Sequence, residues 1–547
     1  MKPARSFSGD DLLAPRAVLL FALLFCGWNL WGYDLWAPDE PYFGEGAREM
    51  IADGRWLVPH VNGEVTTDKP PLFFWTIALF SLPLGQVTSL TARLPSLLAA
   101  LFTLWLTMRL GARFAGRRTG ALAGYLLATT YIFWDKARSA QIDSLLTCLI
   151  LVALYAFVRF RAGELEGRRA GLIFWGAAAL AVLAKGPVGL LLPLGIALLT
   201  LAADRRLRRW RSFAPLAGPL LFVLVAGAWA AAASRWGGDY SVAGALREHF
   251  VDRAMHGMHH EQPPWYYLKV LPYALMPWSL LLPGALLLAW RRRRQPEDRY
   301  LLIHALFVVV FFSLSAEKRD LYILPAVPAF ALLNARLVAA VAGWWPAAAP
   351  AAIPGRRWVS VPQGVIGALM VLLGVAAPIA APRFSDDLLV PAAALAAVLS
   401  AGGVLILALA LRGRALAAVR WSAVTMAAAG LLAVTFVFPA LDPIKSGRQL
   451  AVVVRDETAP ARAAGRPVFG LDLGNVVRWV NFYSDGIYLK ELASPQELVR
   501  AAAAGPVYLV ADEASLASFP RQLRQRMTMV YSSRLSRKDV VLMRYDG

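Results

Sequence analysis

The chain has 547 residues, of which 58% are hydrophobic and 17% charged, with a mean hydropathy of +0.52; soluble domains sit nearer half apolar and a quarter charged. Disordered chains, disulfide scaffolds and ordinary soluble enzymes are excluded, and Cys26 and Cys148 lie in apolar runs with no redox or zinc-finger spacing. The formal charge of +20 would suggest nucleic acid in a soluble protein, but the Arg clusters here stand between apolar runs, so they are read as membrane-orientation signals and no nucleic-acid partner is expected.

A crossing helix needs about 20 apolar residues. Runs of this kind fall at 16–33, 92–109, 119–134, 143–160, 170–184, 187–203, 213–233, 267–290, 300–315, 321–341, 361–381, 388–411 and 420–439, predicting thirteen spans. A further run, 71–84, is short and interrupted by Pro83. If it does not cross, Arg109/Arg113/Arg117/Arg118, Arg159/Arg161/Arg168/Arg169, Arg205 to Arg211 and Arg291 to Arg294 all fall on one side. The positive-inside rule then places the N-terminus in the cytoplasm and the C-terminus outside. The first run lacks a clear cleavage site and is read as a retained helix.

The predicted organisation is a transmembrane part over 1–442, with outer loops at 34–91 and 234–266, and a soluble outer domain over 443–547. Residues 346–357, rich in Ala and Pro, read as a linker. The last segment carries 15 Lys+Arg and 10 Asp+Glu. It has strand-like runs at 467–471, 507–511, 527–531 and 540–543, and Ser494-Pro-Gln-Glu497 reads as a capping box opening a helix. The fold class is therefore an all-α polytopic membrane protein with a small C-terminal α/β domain. No internal repeat of fixed period is evident, which disfavours an inverted-repeat transporter.

Polar residues concentrate in the outer loops. Charge at a membrane boundary is costly unless paired or functional, so this concentration marks an outward-facing polar cavity. Asp39-Glu40 follows the first span, either as a carboxylate at the cavity mouth or as a helix cap. Asp68-Lys69-Pro70-Pro71 returns toward the membrane; Lys69 is a point charge suited to phosphate, or a snorkelling lysine at a helix start. Arg138 and Asp143 flank one span end, where spacing favours a local ion pair. Lys185-Gly-Pro187 sets a lone lysine between two spans with no acid near it in sequence. Glu317-Lys-Arg-Asp320 precedes Tyr322; the bland reading is a solvated turn with an aromatic-belt tyrosine. Four of the six histidines, His249, His256, His259 and His260, share the second outer loop. They invite a metal, although neither an H-E-x-x-H helix nor a cysteine partner accompanies them. No Walker loop, dinucleotide fingerprint or nucleophile elbow is found, so no nucleotide cofactor is expected.

Taken in order, Asp39-Glu-Pro41, Ala47-Arg-Glu-Met50, Trp56-Leu-Val-Pro-His60, Asn62-Gly63 and Lys69-Pro-Pro71 look like the first-loop signature of the bacterial lipid A 4-amino-4-deoxy-L-arabinose transferases and their protein O-mannosyltransferase relatives. Arg138…Asp143, Leu183-Ala-Lys-Gly-Pro187 and Tyr322-Ile-Leu-Pro325 continue the match over roughly residues 30–340. The resemblance implies a GT-C glycosyltransferase of thirteen helices in the bacterial inner membrane. It would move a sugar, plausibly aminoarabinose, from undecaprenyl phosphate to a lipid A phosphate on the periplasmic side, with inversion. A protein or another envelope glycan as acceptor is the alternative, and a lipid-linked sugar flippase the non-enzyme rival. By matching position, Lys69 and Arg253 would hold the donor phosphate, and Asp39 and Asp143 would be catalytic. Glu40, Arg138, Lys185 and Tyr322 would line the cavity. Asp68 and His249 are where a divalent metal such as zinc would bridge the two outer loops. A monomer working among membrane lipids is expected.

Overall fold

The structure is a computed structural model that describes residues 13–247, 261–345, 355–383, 385–474, 476–535 and 538–547. Each of the thirteen predicted runs falls on helix. Among the described residues eight helices are long and apolar enough to cross a hydrocarbon core, and nine if one bent pair counts as a single span. The chain is therefore a multi-pass membrane protein. Two runs break into separate helices. The 267–290 run is two helices, Tyr266–Ala274 and Ser279–Arg291, bent by 113° where Pro277 interrupts the hydrogen-bond ladder. The 119–134 run splits into Arg117–Ala128 and Tyr131–Ala137. The contested 71–84 run forms a helix over Leu72–Ser81 with one 3-10 turn beyond it. At 1.5 Å per residue the ten-residue helix reaches about 15 Å, half the hydrocarbon thickness, which agrees with a segment that does not cross.

The contacts divide the chain into two units. The first comprises residues up to Leu30, Thr67–Phe73 and Arg93–Val437. Its helices pack through small residues, as they must where lipid offers no hydrophobic drive for association. The helices Arg357–Ala380 and Leu389–Leu411 cross at Gly367 and Gly403; a Cβ at either would lie 2.7 Å or less from the opposing carbonyl. Buried charge is satisfied locally. Arg93 is fully buried and donates to the Leu30 carbonyl at 2.8 Å, and Asp298 accepts from Arg336 at 2.8 Å and Arg292 at 3.3 Å.

The second unit comprises Trp31–Thr66, Phe74–Ala92 and Phe438–Gly547, so most of the first outer loop groups with the C-terminal segment. The loop contributes a helix, Glu40–Asp53, and a hairpin of β1 (His60–Val61) and β2 (Glu64–Val65). Asn62 and Gly63 both have positive φ, 64° and 79°, the turn that an Asn-Gly pair favours in a two-residue hairpin. The loop is stitched to the C-terminal helices. Trp479 Nε1 donates to the Leu35 carbonyl at 3.0 Å, Tyr483 Oη accepts from Leu35 N at 2.6 Å, and Asp442 accepts from Trp36 Nε1 at 2.8 Å.

The C-terminal sheet has five strands: β3 (Val468–Leu471), β4 (Lys490–Glu491), β5 (Val507–Asp512), β6 (Met527–Leu535) and β7 (Lys538–Tyr545), in the order β4-β3-β5-β7-β6. β3 pairs parallel with β4 and β5, and β7 antiparallel with β5 and β6. The period-2 alternation of strands sends Val468, Val510 and Leu542 to one core and Phe469, Leu509 and Val541 to the other. The predicted capping box gives way to a bond one residue earlier. Ser494 offers no side-chain cap, while Glu497 Oε2 accepts from Ala493 N at 3.1 Å.

Candidate active-site cavity

The first unit contains a cavity of about 610 Å³. Its polar wall is Asp68, Lys69, Lys185, Glu317 and Tyr322, and its apolar wall includes Phe222, Trp229, Phe311 and Phe312. The local sequence explains how Lys185 arrives there. It ends the helix Gly167–Lys185, Gly186 takes a positive φ of 75° that breaks the helix, and Pro187 caps the next one. A cation at a helix C-terminus and an anion in a first turn both suit the helix dipole. Lys185 holds the first position and Asp143, in the first turn of Ile142–Arg161, the second.

Lys185 Nζ lies 2.5 Å from Asp143 Oδ1 and 4.5 Å from the centroid of the Tyr322 ring. The lysine that has no acid near it in sequence thus finds one 42 residues away. Lys69 Nζ lies 2.8 Å from Asp68 Oδ1. Lys69 and Arg319 stand close enough for their charges to act on Lys185. Each lysine is thus a positive group paired with a carboxylate beside an apolar hollow. A π-helical turn at Val223–Gly227 reshapes the helix that supplies Phe222 and Trp229, a distortion found often at functional sites.

Residues 317–320 are not a solvated turn. Glu317 and Lys318 are 6% and 3% exposed, and Lys318 Nζ donates to the carbonyls of Gln262 at 2.7 Å and Ser315, so it fastens the chain beneath the cavity. Tyr322 is a wall of the cavity. Arg138 is buried; it donates to the carbonyls of Cys26 and Trp28 at 3.2 and 2.9 Å, and its guanidinium lies over the Trp134 ring. The local pair with Asp143 suggested by spacing gives way to this backbone clasp, and Asp143 pairs with Lys185. Glu317, Trp229 and Tyr240 line the cavity without having been singled out for it in the sequence: an aromatic residue near a span end reads equally as an interfacial belt, and Glu317 reads as part of a solvated turn.

Asp39 and Glu40 lie in the second unit. Asp39 is half-buried just before the helix Glu40–Asp53 and makes no capping hydrogen bond, so the helix-cap reading lacks its bond. Glu40 is 7% exposed and accepts from Trp36 N at 2.8 Å, which fixes the chain leading to Asp39. His249 and Arg253, with the other second-loop histidines, lie outside the described residues. Among the described residues no three His, Cys, Asp or Glu side chains gather around a point that could hold a metal ion.

One turn apart in the same helix, Glu45 and Glu49 are both buried. Glu45 takes a two-pronged bond from Arg48 at 2.7 and 2.8 Å, and Glu49 accepts from Gly63 N at 3.2 Å. Burial, then the neighbouring Glu45 carboxylate, pushes Glu49 up from 4.5 to about 7. A carboxyl whose folded pKa is raised costs the fold nothing below its unfolded pKa. Stability falls as pH climbs between the two values, and the penalty is complete above the folded one. Glu49→Gln should therefore raise thermal stability at pH 8 by on the order of 2 kcal/mol and change little at pH 4.5. Melting curves at both pH values check this, and an equal change at each would refute it.

The expected family resemblance is borne out by comparison with known proteins. Residues 68–230 match the family model described as dolichyl-phosphate-mannose-protein mannosyltransferase. The undecaprenyl phosphate-alpha-4-amino-4-deoxy-L-arabinose arabinosyl transferase of Pectobacterium carotovorum is 32% identical over 373 residues, 66% of this chain and 65% of that protein. The enzyme of the same name from Pseudomonas paraeruginosa is 32% identical over 58% of each chain. The chain thus spans somewhat less than two thirds of the length of these curated relatives. Among solved structures, ArnT from Cupriavidus metallidurans bound to undecaprenyl phosphate aligns with a TM-score of 0.75 at 21% identity, covering 97% of this chain and 98% of that one. The archaeal oligosaccharyltransferase AglB from Archaeoglobus fulgidus aligns at 0.52 and 14% identity, over 92% and 70%. The chain shares the fold of these membrane proteins, as the resemblance implied.

Proposed function

We propose that the protein is an inner-membrane glycosyltransferase that moves 4-amino-4-deoxy-L-arabinose from undecaprenyl phosphate to a lipid A phosphate at the periplasmic face. The observation that carries this reading is the cavity in which Lys69 and Lys185 face an apolar hollow beside Asp143 and Tyr322. The named relatives and the undecaprenyl phosphate seen with the structural neighbour support it.

The chemistry follows from the residues. The aromatic wall takes the first isoprene units of the carrier. The lysines leave their carboxylates for the donor phosphate; a lysine suits that exchange because its charge rides on a flexible stem. As the bond from the anomeric carbon to the donor phosphate oxygen breaks, its electron pair stays on that oxygen, and Lys69 and Lys185 stabilise the growing charge. An acceptor oxygen attacks the opposite face and inverts the centre. A phosphate acceptor is already anionic and needs no base, whereas a hydroxyl acceptor would pass its proton to Asp39. Arg253 is assigned to the donor phosphate with Lys69, and Asp68 and His249 are the donors that a divalent ion would recruit; no step here runs through a metal. The protein acts as a monomer.

Purified protein given labelled aminoarabinosyl undecaprenyl phosphate and lipid A should transfer label to the lipid. Label in peptide instead would favour the protein-acceptor reading, and bilayer crossing without transfer would favour a flippase. Asp39→Asn should slow turnover by roughly 10²-fold or more. Near-normal rates would remove it from the reaction.

A further inference from the structure

The C-terminal unit holds a second cavity, of about 490 Å³, walled by Arg455, Arg462, Arg466, Asp485 and Tyr488. None of these residues enters the transfer chemistry above. A guanidinium offers five N–H donors in a fixed fork, and three such groups share one hollow with a single lining carboxylate. Arg455 Nε donates to Asp456, outside the lining, at 2.9 Å, and Asp485 is a weaker partner, 3.8 Å from Arg455 with its side chain 84% exposed.

Fastening helix ends accounts for part of this arrangement. Arg462 donates to Thr458 Oγ1 at 3.1 Å and to the Arg455 carbonyl at 2.8 Å, and Arg466 Nη1 donates to the Pro506 carbonyl at 2.8 Å. Those bonds fix the two groups and leave their other donors unspent. Arg466 Nε is buried with no acceptor, an arrangement that costs about 1–3 kcal/mol or more for a charged group. Gly505 makes room for it: a Cβ there would lie 2.4 Å from Arg466 Nη1. Like charges held together around one hollow describe a place prepared for an anion, and a guanidinium matches a phosphate with two parallel bonds. Tyr488 is 44% exposed and presents a ring to the same hollow, whose volume is that of a small-ligand site, about 300–1,000 Å³.

We propose that this cavity binds a phosphorylated sugar, its phosphate on the arginines and its ring against Tyr488. The choice of glucosamine phosphates as probes rests on the proposed lipid A acceptor, whereas the anion site itself rests on the cavity, and its test reads binding rather than transfer. Full-length protein carrying Lys69→Ala, which weakens the phosphate clamp in the membrane unit, is titrated calorimetrically with glucosamine 1-phosphate, glucosamine and inorganic phosphate. It is also titrated with mixed micelles containing a phosphorylated glucosamine lipid. Saturable binding of either phosphorylated probe is expected, tightest for the soluble sugar phosphate if free metabolites are the source and for the micelles if a lipid headgroup is. Arg455→Gln with Arg462→Gln should weaken it tenfold or more. Arg455→Gln alone, at a solvent-facing position, should weaken it about threefold without touching the fold. Tyr488→Ser should weaken the sugar phosphates but not inorganic phosphate. Binding indifferent to these arginines, or glucosamine or inorganic phosphate binding as tightly as the sugar phosphates, would overturn the proposal.

Discussion

Lys185→Met should abolish most transfer activity, by about 10²–10³-fold, the usual cost of removing one preorganised group that faces developing charge. The difficulty is to separate that loss from simple damage, because Lys185 and Asp143 form a nearly buried pair, with side chains 14% and 2% exposed. Removing one partner strands the other; for buried pairs this destabilises by roughly 3–5 kcal/mol. Asp143→Asn, which leaves the ammonium without its carboxylate, should lower stability by roughly 3 kcal/mol. The double variant Asp143→Asn with Lys185→Met removes both charges, and its melting temperature should return close to wild type. Its activity should not return. Melting curves and initial transfer rates on the four proteins complete the cycle. A double variant that transfers sugar at the wild-type rate would make the pair a structural strut and nothing more.

That pair also shows where sequence reading stops. The helices were legible because hydrophobic length is a local property, and the Arg clusters ordered them. The β-strands over 468–545 were legible as short apolar runs, except β4, whose two residues, Lys490 and Glu491, are exposed at an edge and carry no apolar signal. Pairing was not legible. Spacing within one segment offered Asp143 to Arg138, five residues away, while packing gave it to Lys185 across 42 residues and sent Arg138 to the carbonyls of Cys26 and Trp28. Nor did composition distinguish the charges of Glu317 and Lys318 from a wet turn; their burial follows from a strand-like pairing of Glu317 with Glu261 that no local pattern announces. The grouping of residues 31–66 with the C-terminal helices rests on long-range packing, such as Phe482 against Gly44, and on polar bonds such as Trp479 to Leu35, none of which has a sequence periodicity.

Lys69→Ala should reduce kcat/KM for the lipid-linked donor by about 10²-fold, or close to 2.7 kcal/mol, with little change in melting temperature. The two expectations come from one geometry. Lys69 sits in a loop, 17% exposed at its side chain and paired with the adjacent Asp68, itself 31% exposed, so the fold loses a partly buried pair between chain neighbours, worth on the order of 1 kcal/mol. The same ammonium faces the cavity, where a phosphate entering beside an aromatic wall is partly stripped of water and feels it more strongly. Lys69→Arg keeps the charge but spreads it over a planar fork that a loop built for a point charge need not aim well; it should recover part of the activity, mainly through KM. The neutral counterpart, Asp68→Asn, releases Lys69 from its resting partner without removing it and should leave donor KM equal or lower. If Lys69→Ala left donor kinetics unchanged while Asp68→Asn crippled them, the carboxylate rather than the ammonium would be the working group of this loop, and the phosphate clamp would have to be rebuilt around Lys185 alone.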